Sequence, residues 1–251
     1  MSDSDISRRE ITRPPIRAVI FDWGGTLTPW HDVDLYAQWY AYAEAYDPGG
    51  ASALAHRLHA GELERWRLMR ETEGAASTGA LDAIFIDEGI DLTSARHLGA
   101  LATYLDFWAP HTYADSQAAE LMRGLRADGL RIGVLSNTLW PRYHHEEVFS
   151  RDGLLDLIDA AAYTSEMPAA KPHADAFRVI CDMLAVSPQE CVFVGDRLWD
   201  DIRGSQQAGM RAIWIPHSRL PNEQVPDDSA TPDAVARDLI DVRTIIRGWV
   251  A

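Results

Sequence analysis

The sequence predicts an α/β fold: a doubly wound parallel sheet with an α-helical domain inserted after its first strand. Three observations carry the prediction. From residue 111 onward, short apolar runs alternate with helical stretches. The interval 32–110 reads as helix alone. A single apolar run, RAVIFD (17–22), precedes that interval and ends in an acidic residue. Buried parallel strands look like this because helices cover both of their faces.

The N-terminal stretch 1–16 lacks the apolar core of a signal peptide and reads as a loose tail. Residues 17–22 form the first strand, and in the TPWHDVD segment that follows, Asp32 is the favoured cap of the first inserted helix. Within residues 33–46, Leu35, Trp39, Ala43 and Tyr46 recur at helical spacing. Residues 51–74 form a second helix, and 93–110 another, capped by Thr93 or Ser94. The core then resumes. Helices are expected over 115–129, 172–185 and 200–209, and strands over 130–137, 157–165, 190–196 and 210–216. Gly129 and Gly209 sit where helix C-termini favour glycine. The core is therefore Rossmann-like, built from 17–31 and 111–251, with a helical cap over 32–110.

The formal net charge of −15 argues against a nucleic-acid or anionic-membrane partner, since both need basic surfaces. No apolar run reaches the ~20 residues of a membrane span. The expected location is the cytoplasm, and the oligomeric state is left open. Cys181 and Cys191 form neither a disulfide framework nor a metal pattern, and both lie in apolar runs as packing residues. Lys171 is the chain's sole lysine. A compact ammonium is not interchangeable with the guanidinium used everywhere else.

Four expected strand ends carry polar groups: Asp22 with Gly24, Gly25 and Thr26; Ser136 with Asn137 and Thr138; Lys171 beside Pro172 at a helix start; and Asp196 with Asp200 and Asp201. In a parallel sheet these ends share one edge. Clustered carboxylates repel unless a cation joins them, and all-oxygen ligation suits Mg²⁺. Ser136 and Lys171 can bind phosphoryl oxygens, which leaves Asp22 to attack phosphorus. Thr26 and Asn137 are further candidate substrate contacts. Asp200 and Asp201 also have a plainer reading, as helix N-terminal carboxylates favoured by the macrodipole.

Four pieces, FDWGGTL, VLSNT, AAKPHADAF and VFVGDRLWDDIRGSQQAGM, resemble in order and spacing the four motifs of the haloacid dehalogenase superfamily, in its helical-cap form. The resemblance covers residues 17 to 216. It implies that Asp22 is the nucleophile, the Gly24 carbonyl a metal ligand, Ser136 and Lys171 the phosphoryl holders, and Asp196 a direct ligand of Mg²⁺. Asp201 would act on the metal directly or through water and Lys171. The implied partner is a small phosphorylated molecule.

One position departs from the pattern. The family's phosphatases carry a second aspartate two residues after the nucleophile, which protonates the leaving oxygen and then activates water; here that position is Gly24. Positioned acid–base catalysis contributes typically ~10²–10⁴-fold. The family's dehalogenases also lack that aspartate, but they lack the metal acids that GDRLWDD keeps. The phosphonoacetaldehyde hydrolase motif is similar to DWGGT, yet its chemistry needs a cap lysine, and 32–110 contains none. The preferred expectation is a phosphatase for good leaving groups, such as acyl or aryl phosphates. His31, Asp32 or Asp34 are candidates to supply the missing acid. A catalytically weak phosphometabolite binder is the alternative outside enzymology. In the cap, Arg57, Glu62, Arg65 and Trp66 are candidate substrate contacts, set against a plainer role as ordinary helix surface.

Overall fold

The computed structural model describes residues 14–29, 33–216 and 230–250. Strands β1 (Ala18–Phe21), β2 (Arg131–Ser136), β3 (Ala160–Tyr163), β4 (Cys191–Gly195), β5 (Arg211–Trp214) and β6 (Ala234–Val235) form one sheet in the order β3-β2-β1-β4-β5-β6. Every pairing is parallel. From β1 the chain first winds outward through β2 and β3, then returns to β4 on the other side of β1. The order therefore reverses between β1 and β4, and the crevice beyond strand ends at such a point is where α/β sheets bind ligands.

The pleat divides β1 between two cores. Val19 and Phe21 join a large cluster with Leu121 and Leu125 of α5 (Ala118–Ala127) and with Val242 and Ile246 of α9 (Leu239–Val250). Ala18 and Ile20 face the other way, onto Phe177 and Ile180 of α7 (Ala174–Met183). Both faces are thus covered, which is why these strands lack the alternation of a half-exposed sheet. Cys181 and Cys191 are buried in the second cluster.

Among the described residues between β1 and α5 lie four α-helices: α1 (Leu35–Tyr46), α2 (Ala51–Glu71), α3 (Leu81–Asp87) and α4 (Ala95–Trp108). Trp39, Tyr42 and Ala43 of α1 are buried against Leu54, Leu58, Phe85 and Tyr104, with Tyr42 stacked on Phe85 at 4.6 Å. The cap of α1 is Asp34, whose carboxylate accepts from the Tyr36 and Ala37 N–H groups, rather than the expected Asp32. His31 and Asp32 lie outside the described residues. Ser94 caps α4 by accepting from the His97 N–H. Gly129 and Gly209 take positive φ after their helices, as expected of helix-ending glycines. No described helix is long and apolar enough to cross a membrane.

Several local expectations change. Ile16, assigned to the tail, is buried in the core; residues 1–13 lie outside the described residues. Pro172 precedes α7 rather than occupying its first turn, because His173 is the N-cap. Residues 200–209 are not one regular helix: a π-helical segment covers Leu198–Arg203 and α8 is the short Gly204–Gln207. Helix α6 (Arg142–Arg151), β6 and α9 have no counterpart in the sequence reading. Two of them have weak local signals, whereas α9 carries Leu239, Val242 and Ile246 at helical spacing that the sequence reading did not use. Helix α6 opens on polar and histidine residues, and β6 is only two residues long.

Candidate active site

Asp22 follows β1 directly, and its N–H donates to the Val194 carbonyl of β4 at 2.9 Å, so the sheet itself sets its position. The chain then turns tightly. The Trp23 carbonyl accepts from the N–H groups of Thr26, Leu27 and Thr28, while the Gly25 N–H donates to the Thr28 carbonyl at 2.7 Å. Gly25 sits at φ +98°, and a Cβ there would overlap the Asp196 carboxylate. This glycine is required twice over, by backbone conformation and by contact. Gly24, one residue earlier, lines the same cavity as Asp22.

Lys171 is 2% exposed, and its Nζ donates to Asp22 Oδ1 and to Asp201 Oδ1, both at 2.6 Å. Asn137 fixes the lysine's backbone: its amide donates to the Lys171 carbonyl, and its Oδ1 accepts from the Lys171 N–H, each at 2.9 Å. The side chain expected to touch substrate is therefore committed to holding Lys171. Ser136 ends β2, buried, and lines the cavity. The other oxygen of Asp201 accepts from the Arg197 N–H at 2.9 Å. The π-helical segment makes this possible by turning Asp201 back over Gly195, where any Cβ would collide with it.

Asp196 is buried, and neither carboxylate oxygen has a hydrogen-bond partner among the described residues. One oxygen each from Asp22, Asp196 and Asp201 lie within 4.8 Å of one another. An ionised carboxylate buried without partners is costly, and a hard divalent cation would remove that cost. Among the described residues, fully ionised Asp22, Asp196, Asp200 and Asp201 have Lys171 and Arg197 as neighbouring cations, which leaves two negative charges for the ion to balance. The donor set therefore fits Mg²⁺.

The electrostatics follow from this crowding. Burial raises the Asp22 pKa to about 6, with the Lys171 ammonium pulling against it. Burial, with Asp22 adding repulsion, drives Asp196 well above the usual carboxylate range. Burial works against the Lys171 charge too, but Asp201 and Asp22 more than offset it and hold its pKa above the ordinary lysine value.

Other expected residues fall elsewhere. Thr26 is fully buried inside the turn, not on the cavity wall. Arg57 points along the helix surface and pairs with Glu88 at 2.6 Å; Arg65 pairs with Asp87. Neither lines the cavity, because each finds its counter-charge beside α3. Trp66, Glu62 and Asp34 do line it. Two more residues belong to the wall: Asp200, and Thr28, which sequence reasoning passed over. Asp200 is buried 3.8 Å from Arg197, and Thr28 is buried with its hydroxyl unpartnered among the described residues. Asp200 and Asp201 both lie in the first turn of the π-helical segment, as the plainer reading of helix-start carboxylates expects, and both are also buried at the site.

The Gly25 contact yields a test. Gly25→Ala is expected to weaken Mg²⁺ binding by displacing Asp196; disturbing groups that orient metal ligands typically costs about 10–100-fold in affinity. Calorimetric Mg²⁺ titration of the folded variant measures this, and unaltered affinity would contradict it.

A model of the haloacid dehalogenase-like hydrolases matches residues 16–209. A glyceraldehyde 3-phosphate phosphatase of Methanopyrus kandleri is 25% identical over 233 residues, covering 90% of this chain and 97% of its own. A crystal structure of a HAD phosphatase from Thermococcus onnurineus superposes with a TM-score of 0.66 at 23% identity, covering 93% of this chain and 99% of its own. A 2-haloacid dehalogenase from Pseudomonas syringae pv. Tomato DC3000 superposes with a TM-score of 0.63 at 24% identity and the same coverages, 93% and 99%. These two structural likenesses speak to the fold. With the family model spanning most of the chain and its motifs meeting at one sheet edge, this protein belongs to the haloacid dehalogenase-like hydrolase family.

Proposed function

We propose that the chain is a cytoplasmic, Mg²⁺-dependent phosphohydrolase that acts on a small phosphorylated molecule through an aspartyl-phosphate on Asp22. One observation supports this above the rest: the buried Asp196 carboxylate, without a hydrogen-bond partner among the described residues, beside Asp22 and Asp201. Asp22, Asp196, Asp201 and the Gly24 carbonyl would hold Mg²⁺, which when bound neutralises phosphoryl charge. Displacement of halide from carbon makes no use of Asp196, whose burial costs stability.

The chain's own groups divide the remaining work. With its pKa near 6, Asp22 is ionised at neutral pH. Its carboxylate attacks phosphorus, and the bond from phosphorus to the leaving oxygen breaks. Lys171 and Ser136 hold the phosphoryl oxygens. Water then attacks the phosphorus of the aspartyl-phosphate, releasing inorganic phosphate and restoring Asp22. Gly24 offers no proton to the leaving oxygen, so the favoured substrates are those whose leaving group is stable as an anion.

Phosphate release from a panel of acyl, aryl and alkyl phosphates tests the reading. Activity is expected to fall to background in EDTA and to return with Mg²⁺. Metal-independent phosphate release, or halide release from 2-haloacids without phosphatase activity, would refute it.

A further inference from the structure

The cavity above Asp22 encloses about 600 Å³, the size of a pocket for a multi-ring ligand rather than a two- or three-carbon phosphate. Of the chain's nine tryptophans, five line it: Trp23, Trp66, Trp108, Trp140 and Trp199. Three of their indole N–H groups are already spent on the protein. Trp108 donates to Gln38 at 2.6 Å, Trp140 to the Tyr104 hydroxyl at 3.2 Å and Trp66 to Glu62 at 3.4 Å. These walls present carbon, not donors.

Several polar side chains on the wall are similarly engaged, although Thr28 leaves its hydroxyl unpartnered among the described residues. Glu62 also accepts from Trp39 and Gln38, Asp34 caps α1, and Asn137 holds Lys171. Glu62 and Gln38 thus form a strut that sets the positions of Trp66 and Trp108. Arg70 adds a guanidinium to the wall, and its planar face stacks on rings as well as pairing with anions. A hydroxyl-rich small phosphate would regain few hydrogen bonds from the indole walls. An aromatic ring would gain stacking and burial.

Leaving-group chemistry points the same way independently. A phenolate departs without a proton donor, since a phenol has a pKa of about 10. An alkoxide is nearer to hydroxide, whose parent water has a pKa of about 15.7. Gly24 therefore disfavours alkyl esters, and the indole walls favour aromatic ones.

We propose that the substrate is a phosphate monoester of a hydroxylated, multi-ring aromatic compound, its rings packed against Trp66, Trp108 and Trp140 and its phosphoryl group at Asp22. This rests on the phosphohydrolase reading. The test uses the full chain with Mg²⁺ and compares kcat/KM for 2-naphthyl phosphate, phenyl phosphate and phosphoglycolate. The two aryl esters release phenolates of similar basicity, so their ratio reports on the cavity and not on the leaving group. The naphthyl ester is expected to lead the phenyl ester by about tenfold, mainly through KM, as one added stacked ring allows. Phosphoglycolate is expected to trail both.

Trp66→Ala and the milder Trp66→Leu are each expected to bring the naphthyl-to-phenyl ratio towards one. A ratio of two substrates does not depend on the fraction of protein folded. Equal rates for the two aryl esters, a ratio unmoved in both variants, or a preference for phosphoglycolate would overturn the aromatic assignment and leave the phosphohydrolase reading standing. No Mg²⁺-dependent phosphate release from any ester would overturn both.

Discussion

Asp22→Asn is expected to reduce phosphate release by about 10⁴-fold or more, since removing a nucleophile from a cooperating site costs up to ~10⁶. The substitution keeps shape and burial but replaces an anion with an amide that cannot attack phosphorus. It also lowers the negative charge facing Lys171, so Mg²⁺ binding should weaken as well. Stability carries a second signature. Burial raises the Asp22 pKa to about 6, above the 3.8 of a free aspartate. The folded state therefore holds this proton more tightly, and its contribution to stability is lost as pH rises from about 4 to about 6. His144 and His145 act oppositely: burial lowers them to about 4 and about 3, so they destabilise the fold as pH falls below 6.5. Comparing melting curves of wild type and Asp22→Asn in EDTA over this range isolates the Asp22 contribution. The variant should gain relative stability as pH rises. Turnover that survives the substitution would exclude Asp22 as the nucleophile.

Gly24→Asp is expected to raise turnover of an alkyl ester such as phosphoglycolate by about 10²-fold, the lower range for positioned general acid–base catalysis. Gly24 shares the cavity with Asp22 and is partly exposed within it. A carboxyl group there could protonate a departing alkoxide and then deprotonate the attacking water. An aryl ester needs less help at the first of these steps, so its rate should change much less. The ratio of alkyl to aryl turnover is the decisive quantity. Unchanged or diminished alkyl turnover in a folded variant would mean that glycine serves some other need at this position.

The legible parts of this molecule were those whose signal is local. Apolar runs that end in polar residues marked β1, β2, β3, β4 and β5, because a strand covered on both faces must be apolar throughout. The resemblance of four motifs then assembled Asp22, Ser136, Lys171, Asp196 and Asp201 at one edge, where the structure also places them. Less legible were elements that depend on partners distant in sequence. Helix α9 forms against α5, more than a hundred residues away, and α6 has a polar, histidine-rich face that no periodicity marks. Thr26 and Arg57 fall off the cavity wall, and Asn137, on the wall, spends its amide on Lys171, for one shared cause. A polar side chain near a motif has several nearby acceptors and donors, and only packing decides which one it takes.

By itself, the sequence determined the fold class, the acidic residue Asp22 at the end of the first strand and the glycine two residues after it, since each is written in residue type and spacing. Tertiary structure alone decided which side chains face the same empty space. It turned Asp200 inward through a π-helical turn, gave Asn137 to Lys171, and gathered five tryptophans from separate segments around one cavity. The reason is physical: direction is a property of the packed chain, set by hydrogen-bond partners that spacing does not reveal.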